Sequence, residues 1–281
     1  SSGAVFGEKL GWERANWFAE RDEEPHDIYT FGQPNWDGAV AREHKAARDA
    51  AVLFDQTSFA KYILTGPDAE QALQWIAANR VDKPVGTIIY TQMLNDNGGI
   101  ECDLTCVRTK HTEYYITTGT GYATHDFDWI GRNIPSDLNV QLVDVTSSNA
   151  VLSLFGPKAR DILELVTTGD VSNTVHPFGF ARQIGIAGCS VLALRITYVG
   201  ELGWELHLPV ENAQTVYSAL IEAGTPLGLR NAGYRAIETL RLEKGYRAWS
   251  SDIGPDHTPD EAGLGWAVKM KSNISFKGRE A

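Results

Sequence analysis

The sequence predicts an α+β fold of mixed sheet and helices. Three observations carry that expectation. The chain has 281 residues, 43% of them hydrophobic and 22% charged, enough for a large core and for two domains. From Ile100 the sequence alternates strictly, with Ile100, Cys102, Leu104 and Cys106 pointing one way and Glu101, Asp103 and Thr105 the other. A strand followed by Gly-Pro and a helix occurs twice, ninety residues apart, in LTGPDAEQAL from Leu64 and LFGPKARDIL from Leu154. Gly-Pro helix starts are common, so chance competes there with two related α+β halves.

Taken in order, Val5 to Asn35 is rich in Gly, Trp and charge, lacks clean periodicity, and reads as an extended segment wrapping a surface. Asp37 is suited to cap a helix through Val40, His44, Ala47 and Ala51. Phe59 to Thr65 reads as a strand, and Gly66-Pro67 opens a helix with apolar Ala69, Ala72, Leu73 and Ile76. Ile88 to Met93 leads through the Asn95-Asp96-Asn97-Gly98-Gly99 turn into the alternating strand. Glu113 to Thr118 pairs beside it. Gly119-Thr120-Gly121 then starts a helix to about Gly131. Thr124 stands where a dinucleotide fingerprint needs its third glycine, so this is a plain strand-to-helix turn. Val140 to Val145 and Ala150 to Phe155 read as strands, followed by the second Gly-Pro helix. Gln183 to Tyr198 and Trp204 to Leu208 form a second hairpin around Val199-Gly200-Glu201-Leu202-Gly203. Helices follow from Val210 to Gly224 and through Ala236, Ile237 and Leu240 to Gly245. Tyr246 to Ala281 is loop-like.

The net charge of −11 disfavours nucleic acid as a partner. Three cysteines do not make a disulfide framework. Cys102 and Cys106, on one strand face, stand roughly 13 Å apart, too far to bridge. The seven histidines show no zinc spacing, so no metal is expected. No stretch has the length and hydropathy of a membrane span or a signal peptide. A soluble, cytoplasmic protein is expected, or one of the mitochondrial matrix if eukaryotic.

Two stretches place carboxylates on polar strand faces. Asp103 follows the Gly98-Gly99 turn. An acid there is either solvated, the commoner case, or positioned in a cleft, and alternation alone leaves both open. Glu205 follows Tyr198-Val199-Gly200-Glu201-Leu202-Gly203-Trp204, and most lone strand glutamates are solvated too.

Together these stretches resemble the aminomethyltransferase family, which comprises the T-protein of the glycine cleavage system and the folate domains of dimethylglycine and sarcosine dehydrogenases. Met93-Leu94-Asn95, Gly98-Gly99-Ile100 and Asp103-Leu104 match one family motif. Tyr198-Val199-Gly200-Glu201 with Gly203 and Glu205 matches the run that binds the pterin. Leu240-Arg241-Leu242-Glu243 with Gly245, then Thr258-Pro259 with Glu261-Ala262-Gly263-Leu264, matches a third. The opening VFGEKLGWERANWF resembles the start of the folate half of the dehydrogenases. One departure matters: Ile237 stands where T-proteins carry an arginine of the folate site.

The resemblance implies Asp103 as the catalytic carboxylate and tetrahydrofolate as cofactor. Glu205, Tyr198, Tyr90 and Met93 would bind it, with Arg235 holding its tail in place of the missing arginine. The donor would be an imine from an oxidised N-methyl amino acid, or formaldehyde released from it, and the product 5,10-methylenetetrahydrofolate. A flavin oxidoreductase domain or subunit is the implied partner, with FAD bound only there and not in this chain. Two alternatives stay open: a regulatory or scaffold relative without catalysis, and a folate-dependent demethylase acting by methyl transfer. The resemblance implies two interleaved, pseudo-symmetric subdomains around a cleft, about 1–52 with 140–227, and 53–139 with 228–272. Residues 273–281 match the start of the family's C-terminal β-barrel, which is otherwise absent.

Overall fold

The computed structural model describes residues 2–281. In chain order its strands and helices are Ala4–Lys9 (β1), Trp12–Phe18 (β2), Asp37–Asp49 (α1), Ala51–Asp55 (β3), Ala60–Thr65 (β4), Ala69–Ile76 (α2), Ile88–Leu94 (β5), Ile100–Lys110 (β6), Glu113–Thr118 (β7), Ala123–Asn133 (α3), Gln141–Asp144 (β8), Asn149–Phe155 (β9), Ala159–Val166 (α4), Ala181–Ile186 (β10), Cys189–Leu194 (β11), Gly203–Pro209 (β12), Ala213–Gly224 (α5), Leu229–Asn231 (β13) and Tyr234–Glu243 (α6). They form two compact units, one of Ser1–Ser58 with Ser147–Tyr246, the other of Phe59–Thr146 with Arg247–Ala281. The α+β class is as expected.

The first unit holds a six-stranded sheet in the order β10-β11-β12-β9-β3-β13, in which only the β13–β3 pair is parallel. Helices cover both faces. Ala159, Ile162 and Leu163 of α4 and Val216 and Leu220 of α5 pack with Leu152, Leu154, Trp204 and Leu206 of the sheet. On the opposite face Ala39, Val40 and Ala47 of α1 and Ala236, Ile237 and Leu240 of α6 meet Val52, Phe54 and Phe155. Each fully buried aliphatic side chain contributes about 1.5–3 kcal/mol relative to exposure.

The second unit holds a wholly antiparallel sheet, β5-β6-β7-β4-β8. One face is buried under Ala69, Leu73 and Ile76 of α2 and Ile130 of α3. Residues 247–281 carry no named strand. They are tied to the sheet end by main-chain bonds from Ile100 N to His257 O (3.0 Å) and from Lys269 N to Ala78 O (3.0 Å). Ile253, Leu264 and Phe276 close over Leu94 and Ile100.

Both Gly-Pro junctions behave alike. Gly66 has φ +141° and a Cβ there would stand 2.4 Å from Asn139 O; Gly156 has φ +135° and a Cβ would stand 2.4 Å from Ala50 O. Each glycine permits a neighbouring main chain to touch the strand-to-helix turn.

Several expectations need correction. The opening is a hairpin rather than a wrapping segment: β1 and β2 pair through a turn at Leu10 (φ 50°) and Gly11 (φ 83°), with a bulge at Val5/Phe6. The expected strand Gln183–Tyr198 is two strands, β10 and β11, turned at Ala187 (φ 49°) and Gly188 (φ 80°). Both turns put an apolar residue where Asn or Asp usually accepts positive φ, which hid them. Asp37 is the first residue of α1, not its cap; Trp36 takes that position without a side-chain cap bond. Residues 228–246 belong with the first unit because α6 packs on α1 and β3, and β8 belongs with the second because it pairs with β4.

Candidate functional site

Asp103 sits midway along β6, directly across from Gln92 on β5. Gln92 is fully buried, and its Nε2 donates to Asp103 Oδ1 at 2.8 Å. Tyr90, two residues earlier and so on the same strand face, also hydrogen-bonds the carboxylate. Tyr90 stacks on Trp266, ring centroids 5.6 Å apart and 27° between planes. Burial pushes the Asp103 carboxyl up to about 6, against the pull of the Tyr90 and Gln92 hydrogen bonds. Taken as a whole residue, Asp103 is half-buried. A carboxyl titrating near 6 and already gripped by two donors is fitted to take and return a proton near neutral pH. Gln92 Oε1 is buried without a hydrogen-bond partner, an acceptor beside the acid.

Met93 is placed differently. It is fully buried among the core residues of the second unit, on the strand face opposite Tyr90 and Gln92. Its side chain packs the core, and only its main chain is on offer to a ligand on the Asp103 side.

In the first unit Glu205 lies on β12, between Ser153 of β9 and Leu194 of β11. Its neighbours Trp204 and Leu206 point into the core, so Glu205 and His207 share the other face. Glu205 is 8% exposed, and its hydrogen-bond contact is His207 Nε2 at 3.5 Å from Oε2. A buried carboxylate offers about four lone-pair sites, so most of this acceptor capacity is unspent. That fits a ligand edge with adjacent N–H donors, such as a pterin, and Glu205 would hold it by two parallel bonds. Tyr198, in the loop before β12, stacks on Tyr246 with centroids 6.1 Å apart and 19° between planes.

Arg235 is committed elsewhere. Its Nη1 and Nη2 donate to the two oxygens of Asp27 at 2.8 and 2.7 Å, and its guanidinium lies 3.7 Å from the Trp36 ring centroid. That pairing holds the Asp27 carboxyl below its ordinary range. The fork expected for a folate tail is thus bidentate on an internal carboxylate, where it orders the segment before α1.

The sequence reading missed Gln92, Trp266 and Tyr246. Gln92 was within reach of period-2 arithmetic, since it shares a face with Tyr90. Trp266 and Tyr246 were not, because their partners are set by tertiary packing. The structure also gathers Cys102, His125 and Asp126, whose ligand atoms all lie within 4.8 Å of one another, where no metal-binding group was expected. Among the described residues no helix is long and apolar enough to cross a membrane.

Comparison with known proteins agrees with this fold. Residues 1–272 match the family model of the GCVT N-terminal domain. The chain is similar to mitochondrial sarcosine dehydrogenase of Homo sapiens, 38% identical over 317 residues, covering 99% of this chain and 34% of that protein. It is similar to the mitochondrial pyruvate dehydrogenase phosphatase regulatory subunit of Mus musculus, 33% identical over 287 residues, covering 100% of this chain and 33% of that one. It thus spans about a third of the length of these relatives. Among solved structures, aminomethyltransferase T of the glycine cleavage system from Bartonella henselae superposes with a TM-score of 0.82 at 25% identity, over 99% of this chain and 70% of that one. The match along nearly the whole chain, with the same fold, makes this protein a member of the aminomethyltransferase family that carries the GCVT N-terminal domain.

Proposed function

We propose that this chain is a tetrahydrofolate-dependent one-carbon transfer domain of a sarcosine or dimethylglycine dehydrogenase-like protein. The observation that carries this is Asp103, a family-motif carboxylate raised to about 6 and held by Gln92 and Tyr90. Tetrahydrofolate would supply the nitrogens that take up a methylene unit as 5,10-methylenetetrahydrofolate. The chain's own part is to bind, orient and move protons. Glu205 accepts hydrogen bonds from the pterin edge, with Tyr198 packing beside it. Asp103 takes the proton shed by the attacking nitrogen and stabilises positive charge on the one-carbon unit. Tyr90 and Gln92 keep the acid in a fixed orientation. The methylene unit would come from an N-methyl amino acid oxidised by a flavin domain or subunit, consistent with the similarity to sarcosine dehydrogenase.

Calorimetric titration with reduced tetrahydrofolate tests this. One saturable site is expected, lost in Glu205→Ala and kept in Asp103→Ala, with the Asp103 defect confined to turnover. The similarity to a phosphatase regulatory subunit favours one other reading, a non-catalytic relative. That reading takes over if the folded chain, tested also with its flanking domains, binds no folate.

A further inference from the structure

We propose that Cys102, His125 and Asp126 form a binding site for a zinc-type divalent metal ion. Cys102 is on β6, on the face opposite Asp103, while His125 and Asp126 open α3. Thiolate, imidazole and carboxylate are the donors that zinc prefers, and three protein ligands leave a fourth position for water. The site has an outer shell as well. His125 Nδ1 lies 2.9 Å from Asp126 Oδ1, which leaves Nε2 as the outer nitrogen, 3.5 Å from Glu101 Oε2. With Nδ1 on the metal, Nε2–H donates to Glu101, the carboxylate–histidine–metal arrangement that fixes ring and tautomer. Asp126 is anchored in the same way: Thr118 Oγ1 donates to its other oxygen, Oδ2, at 2.6 Å. The Cys102 sulfur, one oxygen of Asp126 and one nitrogen of His125 all lie within 4.8 Å of one another.

Charge points the same way. Asp126 is 2% exposed, yet among the described residues its only ion-pair partner is His125, which also serves Glu101. A buried carboxylate without a firm cation is costly. His125 is the solvent-facing member of the group, its side chain 42% exposed. The Cys102 thiol now hydrogen-bonds Asp126. Binding replaces its S–H bond with a sulfur–metal bond and releases that proton to solvent. No residue of this group takes part in the proposed folate chemistry, so the two proposals stand or fall separately.

The test uses the reduced, chelator-treated chain titrated with Co2+ and then Zn2+. One equivalent of Co2+ should give an intense thiolate-to-metal charge-transfer band that Zn2+ bleaches. Cys102→Ser should abolish the band and Cys106→Ser should retain it. His125→Ala should weaken Zn2+ binding at least tenfold and Glu101→Gln about tenfold. No band in the wild type, or a band that survives Cys102→Ser, overturns the proposal. If Cys102→Ser fails to fold, His125→Ala decides: unchanged Zn2+ affinity overturns it as well.

Discussion

Asp103 and Glu205 occupy equivalent stations, each on the polar face of an inner strand of its own unit, yet they are equipped differently. Asp103 has two side-chain donors and a carboxyl pushed up to about 6. Glu205 is 8% exposed and touches one ring nitrogen at 3.5 Å. The first acid has its hydrogen bonds supplied by the fold and its proton affinity set near neutrality. The second is desolvated with its acceptors left over. Under the proposed function the first would move protons and the second would hold a ligand that brings its own donors; the difference lies in the neighbours rather than in the acid.

The largest effect should come from removing the acid proposed to transfer protons. Asp103→Asn keeps the shape and should lower turnover by about 10²–10⁴, the usual worth of a positioned acid or base, with folate affinity nearly unchanged. Rapid-quench assays of methylene transfer beside calorimetry would show the split; a loss of affinity equal to the loss of turnover would break the contrast. Next comes Glu205→Gln. Replacing a charged acceptor by a neutral one costs about 1.5–3 kcal/mol, or roughly 10–100-fold in folate affinity, with turnover at saturation largely kept. A Glu205→Gln protein with normal affinity and poor turnover would exchange the two roles.

The pH dependence of stability sharpens the comparison further. A carboxyl whose folded value lies above its unfolded one contributes stability that is full below the unfolded value and lost as pH rises through the folded value. For Asp103 that window runs from about 4 to about 6, and the loss is on the order of 1–3 kcal/mol. Glu43, buried in the first unit and accepting the amides of Phe18 and Gly233 at 2.7 and 2.9 Å, is pushed up to about 7 by burial. Denaturant unfolding should show stability falling from pH 4 to 7. Asp103→Asn should flatten the curve below pH 6 and leave the Glu43 part above it. A curve unchanged by the substitution would mean that Asp103 is not raised.

Much of this was legible in the sequence. The alternation from Ile100 placed Asp103 and Cys102 on opposite faces, and Trp204-Glu205-Leu206-His207 did the same on β12, because a strand's period is fixed by its backbone. The Gly-Pro junctions were visible because Gly66 and Gly156 meet a neighbouring main chain that leaves no room for a Cβ. The hairpins at Leu10-Gly11 and Ala187-Gly188 were not, since an apolar residue takes the positive φ that Asn or Asp usually signals. The site was legible only to its acids. Whether a strand acid is solvated or gripped depends on the opposite strand, and what Arg235 holds depends on Asp27, 208 residues away in sequence. Cys102 meets His125 and Asp126 only through the packing of α3 on the sheet.

The smallest expected effect probes what sets Asp103 apart. Gln92 pulls the Asp103 carboxyl down through its Nε2–H while keeping Oε1 buried and unpartnered. Gln92→Met fills similar volume without either group. It removes one charge-assisted hydrogen bond, so the midpoint of the pH–turnover profile should move up by about one unit at most, with Tyr90 still holding the acid. Stability at pH 5 should change little, because the orphaned acceptor goes with the donor. A midpoint that moves down would mean that Gln92 favours the protonated acid, and Asp103 would then enter the reaction as a proton donor.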